Sequence, residues 1–179
     1  MRLEPTWVVQ KIRHSNLGRQ TPLRVLGLFS SILARLQPDY PRNTLITGFP
    51  FFDRDDDQVP SGELLRFLDA GEPPILFTLG SAAVHVGEEF FLTSIEVAKQ
   101  LKRRALLLVG DSSQLISMKL PDGIAAFAYA PHSLVMPSAV VNVHQGGIGT
   151  TGQALRAGRP MLVVLTDRTN PITLDGVLS

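Results

Sequence analysis

From Ile75 onward the apolar positions fall into short unbroken runs separated by longer stretches of helical period. Ile75-Leu76-Phe77-Thr78-Leu79, Ala105 to Val109, Ile124 to Phe127, Ala139 to Val143 and Pro160 to Val164 are almost continuously apolar. Runs this short, without alternation, predict strands buried on both faces. Between the first two, Glu88 to Lys102 predicts a helix whose buried stripe is Phe91, Ile95, Ala98 and Leu101. Ser61 predicts the cap of a short helix over Glu63 to Asp69, closed by Gly71 and Pro73-Pro74. Thr150 to Ala157 predicts another, ended by Gly158. Strands alternating with helices predict an α/β chain with a doubly wound parallel sheet. Ligands of such sheets bind beyond the C-terminal strand ends, where several of these runs meet glycine.

The front of the chain is patterned more weakly. Trp7-Val8-Val9, Leu23 to Ala34 and Pro38-Asp39-Tyr40-Pro41 give one short and one longer apolar segment ending in a turn. That is too little apolar material for a separate core. The segment Asp53 to Pro60 reads as a surface loop. Its run Asp55-Asp56-Asp57 lacks the alternating ligands, the glycine and the distal Glu of a calcium loop. The longest apolar run, Val25 to Ala34, is broken by Ser30 and Ser31 and is about half a membrane span. The first residues lack the order of a secretion signal. A soluble, cytoplasmic chain is expected.

Composition narrows the chemistry. Of 179 residues, 44% are apolar, enough for a packed core. Lys plus Arg number 17 against 16 Asp plus Glu, and a net charge of +1 leaves no footprint for nucleic acid or an anionic membrane. The absence of cysteine excludes disulfides, cysteine-ligated zinc, iron–sulfur clusters and a thiol nucleophile. His14, His85, His132 and His144 have no helical metal-pair spacing.

The segment with most chemical content is His144-Gln145-Gly146-Gly147-Ile148-Gly149-Thr150-Thr151, between a predicted strand and a predicted helix. Glycines let backbone amides approach a ligand, and the first amides of a helix lack internal partners. Thr150 and Thr151 add hydroxyls, and phosphate is the natural ligand of such a terminus. A glycine-rich turn that binds nothing has the same pattern. A phosphate-binding P-loop is excluded because no Lys follows, and a dinucleotide fingerprint is disfavoured because the glycines fall at 146, 147 and 149. Gly80-Ser81 ends the first strand with a second small hydroxyl. Tyr129-Ala130-Pro131-His132 offers a ring that can stack on a flat base, although a lone Tyr there is more often a packing residue.

In this order, Phe77-Thr78-Leu79-Gly80-Ser81, Leu120-Pro121-Asp122-Gly123, Tyr129 to Ser133, His144 to Thr151 and Ala154 to Pro160 resemble the C-terminal donor-binding domain of the UDP-glycosyltransferase superfamily. Bacterial relatives of the sterol and macrolide glycosyltransferases are the nearest in pattern. Asp39-Tyr40-Pro41 and Gly48-Phe49-Pro50 resemble the family's interdomain passage. The resemblance implies a Rossmann-like parallel sheet with helices on both faces, one half of the two-domain GT-B fold. It implies that Gly80, Ser81, Gln145 and the amides around Gly146, Gly147, Gly149, Thr150 and Thr151 hold the diphosphate of a UDP-sugar. It further implies that Tyr129 and Ala130 hold the uracil, with His132 near the nucleoside. Gln145 stands where the family has a diphosphate-facing His, and an amide donates a neutral hydrogen bond but cannot become cationic. His144 keeps the preceding His of that pattern. Gln153 stands where the family has a ribose-binding Glu. No cofactor or metal is implied, since amides and the helix dipole face the leaving group.

The resemblance also sets expectations for the whole. Residues 1–46 are expected to be a remnant of an N-terminal acceptor-binding domain and the interdomain passage, and 47–164 the nucleotide-sugar-binding, Rossmann-like domain. The family's catalytic His lies near the start of the acceptor domain, and His14 does not match it. The intact enzyme is expected to transfer a hexose, glucose, from a UDP-sugar to a lipophilic hydroxyl acceptor, and this chain alone to be inactive. The rival reading is a stand-alone nucleotide- or NAD-binding module. Self-association is expected through an exposed interdomain face bearing Leu134, Val135 and Met136. Finally, the family continues after Val164 with a sugar-contacting Asp-Gln-Pro-Asp-Asn-Ala segment, which this chain lacks. Read one base out of frame, permitted codons for Leu165 to Gly176 spell Pro-Tyr-Gly-Ser-Asp-Gln-Pro-Asp-Asn-Ala-Arg-Arg. Residues 165–179 are therefore expected to be an aberrant, frameshifted tail, with Asp167 and Asn170 accidental.

Overall fold

A computed structural model describes residues 24–51, 60–80, 87–110 and 113–164. The chain divides into two compact units, with the boundary after Pro50. The first contains a two-stranded parallel sheet, β1 (Val25–Gly27) and β2 (Thr44–Ile46), in the register Val25–Thr44, Leu26–Leu45, Gly27–Ile46. The second carries α1 (Gly62–Asp69), β3 (Ile75–Thr78), α2 (Gly87–Gln100), β4 (Ala105–Leu108), α3 (Ser113–Ser117), β5 (Ile124–Phe127), α4 (His132–Ser138), β6 (Val141–His144), α5 (Ile148–Ala157) and β7 (Met161–Val163). The last five strands form one sheet in the order β5-β4-β3-β6-β7, every pairing parallel.

The runs of β3 and β4 are buried on both sides, as their pattern predicts, whereas β5 is mostly half-buried and β7, at the sheet edge, leaves Leu162 54% exposed, so the expectation of full burial fails for those two edge strands. Ile75, Phe77, Ala105, Leu107 and Val143 pack with Phe91, Ile95, Ala98 and Leu115 beneath α2 and α3. Leu76, Leu106 and Leu108 pack with Leu64, Val135, Met136 and Ala154 beneath α1, α4 and α5. Each fully buried Leu contributes about 1.5–3 kcal/mol of transfer free energy. Ser61 caps α1 by accepting the Leu64 N–H at 3.1 Å. The guanidinium of Arg104 lies 4.4 Å from the centre of the Phe67 ring and donates to the carbonyl oxygens of Phe67 and Glu72, which ties the end of α1 to the start of β4. Gly158 ends α5 in the left-handed conformation, with φ of 64°.

Three further expectations are corrected. Leu101 is 58% exposed and outside α2, because the chain leaves the helix through Lys102 at φ 52°. The fourth strand begins at Val141, not Ala139: Ala139 caps the end of α4 and packs in the core. Val135 and Met136 are fully buried, so they offer no face for self-association. They belong to α4, which the pattern concealed behind Pro131 and Pro137. No described helix is long and apolar enough to cross a membrane. Trp7, His14, the acidic run at 55–57, Ser81, His85 and the tail from Leu165 lie outside the described residues.

Candidate functional site

The sheet order creates a crevice. After β3 the chain moves outward to β4 and β5, whereas after β6 it moves the other way to β7. Connections that part in this manner leave an opening at the C-terminal strand ends. Thr78 and His144, the last residues of β3 and β6, are register partners. Leu79-Gly80 and Gln145-Gly146-Gly147 therefore leave the sheet side by side.

The two glycine segments enclose the Gln145 side chain. A Cβ on Gly80 would stand 2.6 Å from Gln145 Nε2 and 3.3 Å from Thr150 Oγ1, and one on Gly147 would stand 2.9 Å from the same nitrogen. Gly80 also has φ of 62°, which disfavours any side chain there. Gln145 is 5% exposed, and its Oε1 is buried without a hydrogen-bond partner. The loop then enters α5 with Gly147 as a cap that has no side chain to offer. The first bond of the helix runs from Thr151 N–H to the Gly147 oxygen at 2.8 Å. The amides of Ile148, Gly149 and Thr150 precede it and have no carbonyl within the helix to bind. No acidic residue lies in this first turn. Nothing lies within 4 Å of the position a Cβ on Gly149 would take. The hydroxyl of Thr151 is buried and unpartnered. The result is a helix start with no side-chain cap, no acidic residue in its first turn and open space at Gly149, an arrangement suited to an anion.

His144 lies beneath the loop, fully buried. Its Nδ1 accepts the Gly146 N–H at 3.1 Å, so the neutral ring carries its proton on Nε2, which is buried without a partner. Burial, and secondarily the neighbouring His132, hold the His144 pKa down to about 4. His132 is likewise pushed below its ordinary value by burial.

A second feature adjoins. A cleft of about 110 Å³ between α4 and α5 is lined by His132, Ser133, Pro137, Gln153, Arg156 and Ala157. The Oε1 of Gln153 is buried there without a partner. Tyr129 is 58% exposed just beyond β5, while the side chain of Ala130 is buried in the core, leaving only its backbone for any contact. Of the residues singled out in the sequence, Gly80, Gln145, Gly146, Gly147, Gly149, Thr150 and Thr151 meet at the crevice, and His144 is buried beneath the loop. His132 and Gln153 meet in the cleft. Ser81 lies outside the described residues. Ser133, Pro137 and Arg156 were not anticipated; Arg156 carried a signal, since it falls three residues after Gln153 and shares its helix face. Among the described residues no group of three or more His, Asp or Glu side chains is placed to hold a metal ion.

No protein-family model matches the chain. Among curated proteins it is 37% identical over 155 residues to the O-mycaminosyltylonolide 6-deoxyallosyltransferase of Streptomyces fradiae, covering 82% of this chain and 35% of that protein. It is 30% identical over 165 residues to the sterol 3-beta-glucosyltransferase of Aspergillus terreus, covering 85% of this chain and 12% of that one. The chain thus spans about a third or less of the length of these relatives. Among solved structures it superposes on the glycotransferase of kitacinnamycin with a TM-score of 0.63 at 25% identity, covering 86% of this chain and 39% of the other. The spinosyn rhamnosyltransferase SpnG complexed with thymidine diphosphate gives a TM-score of 0.60 at 22% identity, over 82% and 38%, and speaks for the fold alone. In sequence the chain is similar to macrolide and sterol glycosyltransferases, and its five-stranded parallel sheet with helices on both faces is the Rossmann-like arrangement found in GT-B glycosyltransferases.

Proposed function

We propose that the crevice at the ends of β3 and β6 binds the diphosphate of a nucleotide sugar, and that the chain is the donor-binding part of a glycosyltransferase. The reaction is transfer of a hexose, glucose from UDP-glucose, to the hydroxyl of a lipophilic acceptor. One observation carries the reading: the uncapped start of α5, with the amides of Ile148, Gly149 and Thr150 ahead of its first bond and open space at Gly149. In transfer, the acceptor oxygen bonds to the anomeric carbon as that carbon's bond to the diphosphate oxygen breaks; the hydroxyl proton passes to a base and the electron pair leaves with the diphosphate. Donors already fixed at the helix end stabilise that charge without reorganising. Gln145 adds one neutral N–H, so charge stabilisation here falls to the helix end. The cleft between α4 and α5 takes the nucleoside, with Gln153 accepting from a ribose hydroxyl and Tyr129 stacking on the base. A sterol 3-beta-glucosyltransferase among the relatives supports glucose and a lipophilic acceptor.

Calorimetric titration with UDP and UDP-glucose tests the assignment. Gly149→Val leaves the fold intact, because the site is open, yet fills the approach to the amides. Affinity should fall by about tenfold or more, the cost of losing one to two charge-assisted hydrogen bonds. Equal affinity in variant and wild type, or binding of NAD without UDP, would overturn the proposal.

A further inference from the structure

The anion loop turns at Gly146, and that turn is held from two sides. Gly146 has φ of 83°, and a Cβ on it would stand 2.8 Å from Val163 Cγ1, so β7 presses on one side. On the other, His144 offers its ring nitrogen to the Gly146 N–H. We propose that His144 is a positioning residue for nucleotide binding: its Nδ1 accepts the Gly146 N–H, fixing the left-handed turn that aims the amides of Ile148 to Thr150 at the crevice, while the ring itself touches no ligand. This rests on the diphosphate reading of the loop.

Three features support it. The ring is fully buried, on the sheet face it shares with Asn142 and Thr78, and is out of reach of anything in the crevice. Its own backbone is anchored, since the His144 carbonyl accepts the Val164 N–H at 2.8 Å. A ring on an anchored strand end can transmit its position to a residue two further on. The bond also requires one protonation state, because a proton on Nδ1 would set donor against donor. The ring is kept neutral by burial and by His132, which faces it from α4; its partner Thr78 on β3 and its partner Val163 on β7 do not titrate.

Nuclear magnetic resonance of the full chain without ligand reads the first step. The His144 ring should be the Nε2–H tautomer, with a coupling between the Gly146 amide and Nδ1. UDP titration of two variants reads the second. His144→Asn supplies an oxygen near the position of Nδ1 and should bind within about threefold of wild type, whereas His144→Leu supplies no acceptor and should lose about tenfold in affinity, one hydrogen bond's worth. In His144→Leu the loss of one unpartnered buried N–H offsets the Gly146 N–H left without its acceptor, so the melting temperature should change little. A proton on Nδ1, or equal affinity in the Asn and Leu variants, would overturn the proposal. Loss of UDP binding in all three proteins, with the Gly146 amide still bonded to the ring, would instead overturn the diphosphate reading.

Discussion

The two sheets of this chain obey the same pairing rule under opposite conditions. In β3 and β4 every residue is buried, and helices cover both faces. In β1 and β2 the partners Leu26 and Leu45 are 56% and 47% exposed. Parallel pairing leaves few side chains for solvent and is normally confined to covered sheets. Two strands alone are marginal in water. The five-stranded sheet draws its stability from packing, whereas the two-stranded one depends on backbone bonds and local turns, such as the Thr44 N–H and hydroxyl donating to the Pro41 oxygen.

The largest test of that contrast is truncation. Leu106→Ala, at a fully buried site, should cost about 2–5 kcal/mol in urea unfolding, while Leu45→Ala should stay within about 0.5 kcal/mol. Comparable losses would show that the two-stranded sheet is covered in solution. Acid acts next. The His144 pKa is about 4 in the folded chain and about 6.5 when unfolded. No proton is taken up above pH 6.5, so stability there is unaffected. As pH falls from 6.5 to 4 the unfolded state binds the proton first, and the loss grows to about 3 kcal/mol. Urea midpoints at pH 7 and 4.5 should show this loss in wild type and a smaller one in His144→Asn, where His132, also pushed down by burial, still contributes. The smallest effect is at a helix end: Ser61→Ala removes the cap of α1 and should cost about 1 kcal/mol, read as a lower melting temperature.

The sequence made the covered sheet legible for the same reason that the sheet is stable. Ile75 to Thr78 and Ala105 to Leu108 have no polar side to present, so continuous apolarity marks them. Continuity does not fix phase, which is why Ala139 reads as strand although it closes α4. The helix itself was hidden because seven residues with an internal Pro hold too little period. β1 and β2 are three residues each, below the length at which any period shows. At the site, the glycine loop was legible from composition. The fit of Gln145 against Gly80 was not, because it joins residues from two strands that only the fold makes adjacent. The bond between His144 and Gly146 spans two residues, yet it depends on a rotamer set by burial.

The strand order also governs how the molecule is assembled. Ile75 of β3 pairs with Ala105 on one side and with Val141 on the other. Contacts between segments distant in sequence form late, because a longer loop must close first. During synthesis β3, β4 and β5 can associate as soon as they emerge, whereas the second edge of β3 waits for β6. The crevice lies along that second edge. It thus comes into being only after β3, β4 and β5 can already have paired, and a nascent chain gains a place for its ligand once β6 has joined them.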